Sequence, residues 1–342
     1  MREWIGGVRD DVKREGNVMR TTMRSMIVLT LAASLLGLAL ATPALAQQPG
    51  SKGSPIVIGT VRFFGFLPAY KIPEILAKEG IFAVNVEFPS ATERLEAVAA
   101  GYTHFSYAGL TASTILRTKG KAIVVLSSTN DKGRALVGKP EFKGVADLKG
   151  KTVAVTYGSI EHMSLLAEIS KAGLDPKKDV KIVNMPAYDQ PIAYSSGSID
   201  AFMAFEPWAQ FGVKKFGAKL LAYPYDNPLG TIDSGIESTE EFVAKYPAIT
   251  KAVIKAHIQA VRWYRENPEE VIKAGVERYK VPEDVMRDSM ANVALSYDIK
   301  LDNLKALARF LKDLGYIDRE PEWDKFVNTR FLEDAKKELG VR

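Results

Sequence analysis

The sequence predicts an α/β chain of two lobes, each built on its own sheet, completed by a helical tail. Three observations carry that prediction. From Pro55 to about residue 225, short apolar runs alternate with helical patterns of about 9–13 residues, the mark of crossover units around a parallel sheet. The alternation comes in two successive blocks, and in both the strand ends carry Gly, Ser, Thr and aromatic residues. After residue 238 only apolar positions at three- and four-residue spacing remain, as in AITKAVIKAHIQAVRWYRE and LDNLKALARFLKDLG.

A leader precedes the first strand. Residues 1–18 read as an upstream extension. From Met19 the chain runs through Arg20 and Arg24, an apolar stretch over residues 26–41, and Ala44-Leu45-Ala46 before Gln47. Basic n-region, short apolar core and A-x-A box together predict a secretory signal peptide cleaved near Ala46. The apolar stretch is short for a membrane span of ~20 residues. No Cys follows it, which excludes a lipid-anchored export signal, and no Arg-Arg pair calls for the twin-arginine route.

Composition narrows the function classes. The 342 residues are 46% hydrophobic and 25% charged, with no low-complexity tract, and the length suggests roughly two domains. The net charge of +5 comes without clustered Lys/Arg blocks, so neither nucleic acid nor an anionic membrane is indicated as a partner. Zero cysteines exclude a disulfide framework, Cys-zinc sites and thiol catalysis. Three His without an H-x-x-x-H pair, no G-x-S-x-G elbow, no phosphate loop and no dinucleotide glycine spacing leave no catalytic constellation, cofactor or metal to predict.

In the first block, IVIGTV (56–61), VNVEFP (84–89), HFSYAG (104–109) and AIVVLSST (122–129) read as strands. The helices between them are PAYKIPEILAKEG (68–80), TERLEAVAAG (92–101) and TASTILRTKG (111–120). Each opens near Ser, Thr or Pro and stops at Gly, the expected start and stop signals. ALVGK (135–139) leads into the second block. There KTVAVT (151–156), VKIVNMP (180–186), DAFMAFEP (200–207) and AKLLAYP (218–224) read as strands, and SIEHMSLLAEISKAG (159–173) and YDQPIAYSSG (188–197) as helices. The simplest assembly places residues 53–134 and 235–342 in lobe one and 135–234 in lobe two, the tail packing on lobe one. Two crossings, near 130–138 and 222–237, then form a hinge with the ligand cleft between the lobes.

The order of DLKGKTVAVTYGS, the helix after it, SGSIDAFMAFEPW and the return STEEFVAKYP resembles the solute-binding proteins of ABC importers. The branch is the one handling nitrate, bicarbonate, sulfonates and taurine, or the thiamine-pyrimidine precursor. The resemblance covers about residues 55–270 and implies a two-lobed periplasmic-binding-protein fold that closes on ligand by a hinge. It further implies a small-molecule solute and an ABC permease with its ATPase at the inner membrane as partners, and the exported mature chain is expected to be a monomer.

Candidate ligand residues follow from strand ends, where open parallel sheets bind. Phe63, Phe64 and Phe66 offer apolar walls, the alternative being core packing, and Gly65 lets the backbone turn closely between them. Ser90, Thr92, Gly109 and Thr111 sit at helix starts, where capping and anion attraction coexist. Gly158 and Ser159 open a helix at a strand end with His162 in reach of the same turn; Glu161 reads as a carboxylate complementing the dipole. Tyr188 and Asp189 start the next helix, Asp189 as a cap. Glu206 and Trp208 flank Pro207, which ends a core strand because proline cannot donate to a ladder. Both are expected at the rim where the lobes meet, Glu206 as ligand acceptor, latch or helix-start carboxylate. Helix N-termini with a Phe cluster favour an organic anion, a sulfonate or carboxylate. A neutral pyrimidine held by stacking and Glu206 is the alternative, and an enzyme on the same fold a further one.

Overall fold

The computed structural model describes residues 48–88 and 91–341, with the backbone alone for residues 91 and 92; the expected leader and Ser90 lie outside the described residues. The first block forms β1 (Ile56–Thr60), a 3-10 stretch over Phe64–Lys71 that runs into α1 (Ile72–Ala77), β2 (Ala83–Glu87), α2 (Ala91–Ala99), β3 (Phe105–Gly109), α3 (Leu110–Thr118) and β4 (Ile123–Lys132). The second block forms β5 (Arg134–Gly138), β6 (Thr152–Val155), α4 (Ile160–Lys171), β7 (Lys181–Asn184), α5 (Gln190–Ser195), β8 (Ala201–Phe205), α6 (Trp208–Phe216) and β9 (Lys219–Ala222). The return strand is β10 (Ile232–Thr239). After it come α7 (Glu240–Lys245), α8 (Pro247–Glu266), α9 (Pro268–Tyr279), α10 (Glu283–Asn292), β11 (Val293–Leu295), α11 (Leu301–Asp313), α12 (Trp323–Phe326) and α13 (Arg330–Leu339).

These strands make two sheets, ordered β11-β4-β10-β3-β1-β2 and β7-β6-β8-β5-β9. Two interior strands carry continuous apolar runs because both faces are covered: Ile123 to Leu126 of β4 and Ala201 to Ala204 of β8 are all buried. The edge strand β2 alternates instead and leaves Val84 and Val86 exposed. Both sheets are mixed rather than purely parallel. β10 runs antiparallel to β3 and β4, and β5 antiparallel to β8 and β9. Each is the first strand after the chain changes sheet. A short passage between sheets, unlike a helical crossover, delivers its strand against the direction of the others.

The two passages are fastened to each other. The Tyr225 hydroxyl accepts the backbone N–H groups of Gly133 (2.8 Å) and Arg134 (2.9 Å) and donates to Arg134 O (2.8 Å). The fully buried Arg134 guanidinium donates to Ile232 O (2.8 Å), Gly230 O (2.9 Å), Ser164 Oγ (2.9 Å) and the Asp233 carboxylate (3.3 Å). An arginine can be buried here because its donors are spent on carbonyls, a hydroxyl and a carboxylate.

In the tail, α8 buries one face (Val253, Ile254, Ala256, His257, Ala260, Val261) against α1, α13 and the 3-10 stretch below the first sheet. His257 is a satisfied core residue, with Nδ1 2.8 Å from the Tyr107 hydroxyl and Nε2 2.9 Å from Ser128 O. The tail also does two things its helical period did not announce. It adds β11 to the edge of the first sheet beside β4. It also reaches the second block: Leu304, Leu307 and Leu311 of α11 join Ile160, Met163 and Leu166 of α4 in one apolar cluster, and Lys214 of α6 pairs with Asp288 of α10 at 2.8 Å.

Candidate functional site

A cavity of about 550 Å3 opens beyond the carboxyl ends of four strands, lined by Val61 after β1, Gly109 of β3, Thr156 after β6 and Phe205 of β8. Both sheets therefore contribute, and the volume suits a small organic molecule. Its walls are mostly apolar. Phe63 and Phe66 meet edge to face at 4.8 Å, and Phe63 meets Phe205 at 4.7 Å. Gly65 sits between them because a Cβ there would collide with the Asn130 side chain, so close approach rather than a positive φ requires it.

Arg94 is the cavity's chief charged group. It lies on the inward face of α2 with Ala97 and Val98 and is 2% exposed. Its stem packs at Gly59, and its guanidinium carbon stands 5.7 Å from the Phe66 ring centre. Among the described residues it forms no hydrogen bond or ion pair, and its Nε is buried without a partner. Burial lowers its pKa to about 10, opposed by the charge of Glu237, so it stays cationic at neutral pH. Glu237 of β10, also buried, accepts the Ser113 hydroxyl. Burial pushes Glu237 up to about 7, against the pull of that hydroxyl and of Arg94.

The second sheet contributes the start of α4. Gly158 takes a φ of 74°, which favours glycine, and places the chain for Ser159 to cap the helix by accepting His162 N–H at 3.2 Å. Ile160 and Glu161, both on the cavity wall, are first-turn residues whose N–H groups have no intrahelical acceptor. The positive end of a helix with free N–H groups attracts anions. Glu161 is 4% exposed, and its carboxylate has no hydrogen-bond partner among the described residues. Asp233 also lines the cavity, its carboxylate held by Arg134 and the Ser234 hydroxyl.

Of the residues singled out in the sequence, Phe63, Phe66, Gly109, Gly158 and Ser159 line this cavity. Thr92 lies in α2, whose backbone alone is described at that position. The others sit elsewhere. Phe64 is core, 1% exposed, its N–H donating to Glu206 O at 3.2 Å. Thr111 is fully buried in α3, two residues past the cap position at Gly109. His162 turns away from the cavity and stacks on Tyr157 at 4.7 Å, because three residues into the helix a side chain points off the capped turn. Tyr188 is exposed, its ring 6.4 Å from that of Trp208.

Glu206 and Trp208 lie inside the protein rather than at the expected rim, and Glu206 takes the helix-start role that was one of its readings. Glu206 is fully buried. It accepts Gln210 N–H (3.0 Å), Asn292 Nδ2 (3.0 Å) and the Ser289 hydroxyl (3.3 Å), tying the end of β8 to α10. Burial pushes it up to about 7. Trp208 opens α6 and is 8% exposed within the main apolar cluster. Glu206 is interior because α10 covers the end of β8, a contact no local pattern encodes, while Trp208 packs with Tyr188 and Phe211. Arg94, Glu96, Lys121 and Asp233 are charged lining residues that site reasoning from strand ends missed, and Glu161 was read only as complementing the helix dipole. An arginine in step with Ala97 and Val98 on the apolar face of TERLEAVAAG was the available signal.

The model of the NMT1-like family matches residues 69–275. A Brucella abortus protein named as a binding protein is 28% identical over 207 residues, which are 60% of this chain; the chain spans only 64% of that relative's length. The taurine-binding periplasmic protein of Escherichia coli is 28% identical over 267 residues, covering 72% of this chain and 82% of its own. Among solved structures, the periplasmic aliphatic sulphonate binding protein from Escherichia coli aligns with a TM-score of 0.69 at 20% identity, over 81% of this chain and 93% of its own. The fold is that of periplasmic binding proteins.

Proposed function

From the premise that the chain belongs to the NMT1-like family, we propose that it is the solute-binding component of an ABC importer and captures a small organic anion between its lobes. The observation that carries this reading is Arg94, a buried cation with no hydrogen-bond or ion-pair partner among the described residues, on the wall of a mostly apolar cavity. Burying an unpaired charge is costly, and an anionic ligand supplies the missing partner. The α4 N-terminus adds N–H donors, and Phe63, Phe66, Leu95 and Ile115 face the organic part. The names of the taurine- and sulphonate-binding relatives support a sulfonate, with a carboxylate the nearest equivalent. Glu161 offers an acceptor for a donor group elsewhere on the ligand. Capture rather than catalysis fits the relatives, which are named for binding. The neutral pyrimidine reading rested on Glu206, whose carboxylate is bonded inside the protein.

In this reading residues 53–134 and 235–342 form one lobe and 135–234 the other, hinged where Tyr225 and Arg134 tie the two passages. The solute is handed to a membrane permease and its ATPase by a periplasmic monomer whose signal peptide ends near Ala46. No helix among the described residues is long and apolar enough to cross a membrane. A thermal-shift panel of alkanesulfonates, taurine, aromatic carboxylates, nitrate and pyrimidines tests the assignment. A ligand at 100 times its dissociation constant adds about 2.7 kcal/mol of apparent stability. Small-angle scattering with the best hit should show compaction. Stabilisation by pyrimidines alone, or by no anion in the panel, overturns the reading.

A further inference from the structure

A second recess shares Tyr157 with the cavity and none of its other lining residues. It measures about 590 Å3 and is bounded by His162 and Leu166 of α4, Lys177 of the following loop, Lys181 of β7 and Tyr316 after α11. Its walls present rings in a fixed arrangement. Tyr157 lies parallel on His162 at 4.7 Å with 8° between planes, and Tyr316 stands at 90° to His162 at 6.1 Å. Tyr157 is held there by its hydroxyl donating to Ile182 O (2.9 Å) and its N–H donating to Asn184 Oδ1 (2.9 Å).

The charged side chains of the recess, Lys177 and Lys181, are both cationic. His162 is 5% exposed, and its Nδ1 accepts the Gly158 N–H at 3.3 Å. Burial lowers its pKa to about 4, so the ring is neutral and its proton sits on Nε2, which has no partner among the described residues. Lys177 and Lys181 form no ion pair among the described residues. The neighbouring acids Asp175 and Asp179 are engaged by Lys178 and Lys149. No carboxylate lines the recess. Two lysines without a facing carboxylate among the described residues, set beside ring faces and a free His162 Nε2 donor, describe the complement of an aromatic anion.

We propose that this recess is a second binding site, separate from the inter-lobe cavity, for an aromatic carboxylate or sulfonate. The ring lies against Tyr316 and the Tyr157–His162 stack, and the anionic group meets Lys177 and Lys181. The site stands on its own geometry, whatever the main cavity takes.

Naphthalene-2-sulfonate is the probe, titrated calorimetrically into the wild-type protein, Arg94→Met, Lys177→Ala/Lys181→Ala and Tyr316→Ala. Arg94→Met should retain a binding event within about twofold of wild type. The double lysine variant, changed at two exposed positions and checked for an unaltered melt, should weaken that event at least tenfold. Tyr316→Ala should weaken it several-fold. Loss of all binding in Arg94→Met with wild-type binding in the lysine variant would place the probe in the main cavity and overturn the proposal. So would the absence of any binding to wild type, or affinity unchanged in both the lysine and Tyr316 variants.

Discussion

Replacing Arg94 by methionine removes the buried cation of the cavity while keeping an unbranched side chain to pack at Gly59 and Phe66. The free protein already bears the desolvation of this guanidinium, which has no partner among the described residues. A bound anion thus gains its attraction without paying that cost again. Hydrogen bonds to charged groups contribute about 1.5–3 kcal/mol each. One such bond from the fork, or two at the lower figure, amounts to ~1.5–3 kcal/mol, or roughly 10- to 140-fold in affinity at 1.4 kcal/mol per decade. Stability should move the other way or not at all, because an unpaired buried charge is replaced by an apolar group. Glu237 then loses a nearby positive charge and is protonated more readily. The assay is calorimetry with the tightest anion of the panel, alongside a melt without ligand; Arg94→Lys should recover part of the loss. Unchanged affinity in a protein that melts normally refutes the reasoning, as does a melt lowered by many degrees with affinity intact.

Trp208→Ala should cost ~3–5 kcal/mol of stability, as for other buried aromatic truncations, and lower the melting temperature without ligand while leaving affinity at full folding unchanged; a normal melt with weakened binding restores Trp208 to the site. Glu206 is pushed up to about 7 from its ordinary 4.5. Below about 4.5 it is protonated in both states. Between 4.5 and 7 only the unfolded chain ionises it, so stability falls with rising pH and the loss is complete above about 7. At ~1.4 kcal/mol per pH unit the effect approaches about 3 kcal/mol. Glu206→Gln should flatten that part of the stability profile and spare ligand affinity, and an unaltered slope in urea unfolding counts against it. Tyr225→Phe strips the acceptor from the Gly133 and Arg134 N–H groups. At ~1–3 kcal/mol for each donor left unsatisfied, it should destabilise the protein measurably and quicken amide exchange at residues 133 and 134; unchanged exchange there means the hydroxyl is not what fastens the passages.

Local patterns carried much of the outcome. The alternation of apolar runs with helical periods placed β1 to β4, β6 to β9 and the helices between them except α6, because burial on both sheet faces and on one helix face leaves its period in the residue order. The strand-end rule located the cavity, and with it Phe63, Phe66, Gly109, Gly158 and Ser159, since a strand end and the helix start that follows it are adjacent in sequence.

What the residue order does not carry is which distant segment covers a given spot. AFMAFEPW reads the same whether Glu206 faces solvent or α10, and only the packing of Ser289 and Asn292 on the end of β8 decides it. The antiparallel entry of β5 and β10 depends on short passages between sheets, not on hydrophobic period, which is blind to strand direction. Arg94 becomes a buried cation through the assembly of α2 over Gly59 and Phe66. Its charge was plain in the sequence. Its lack of a partner among the described residues is a property of three-dimensional neighbours, because attraction and desolvation depend on distance in space rather than along the chain.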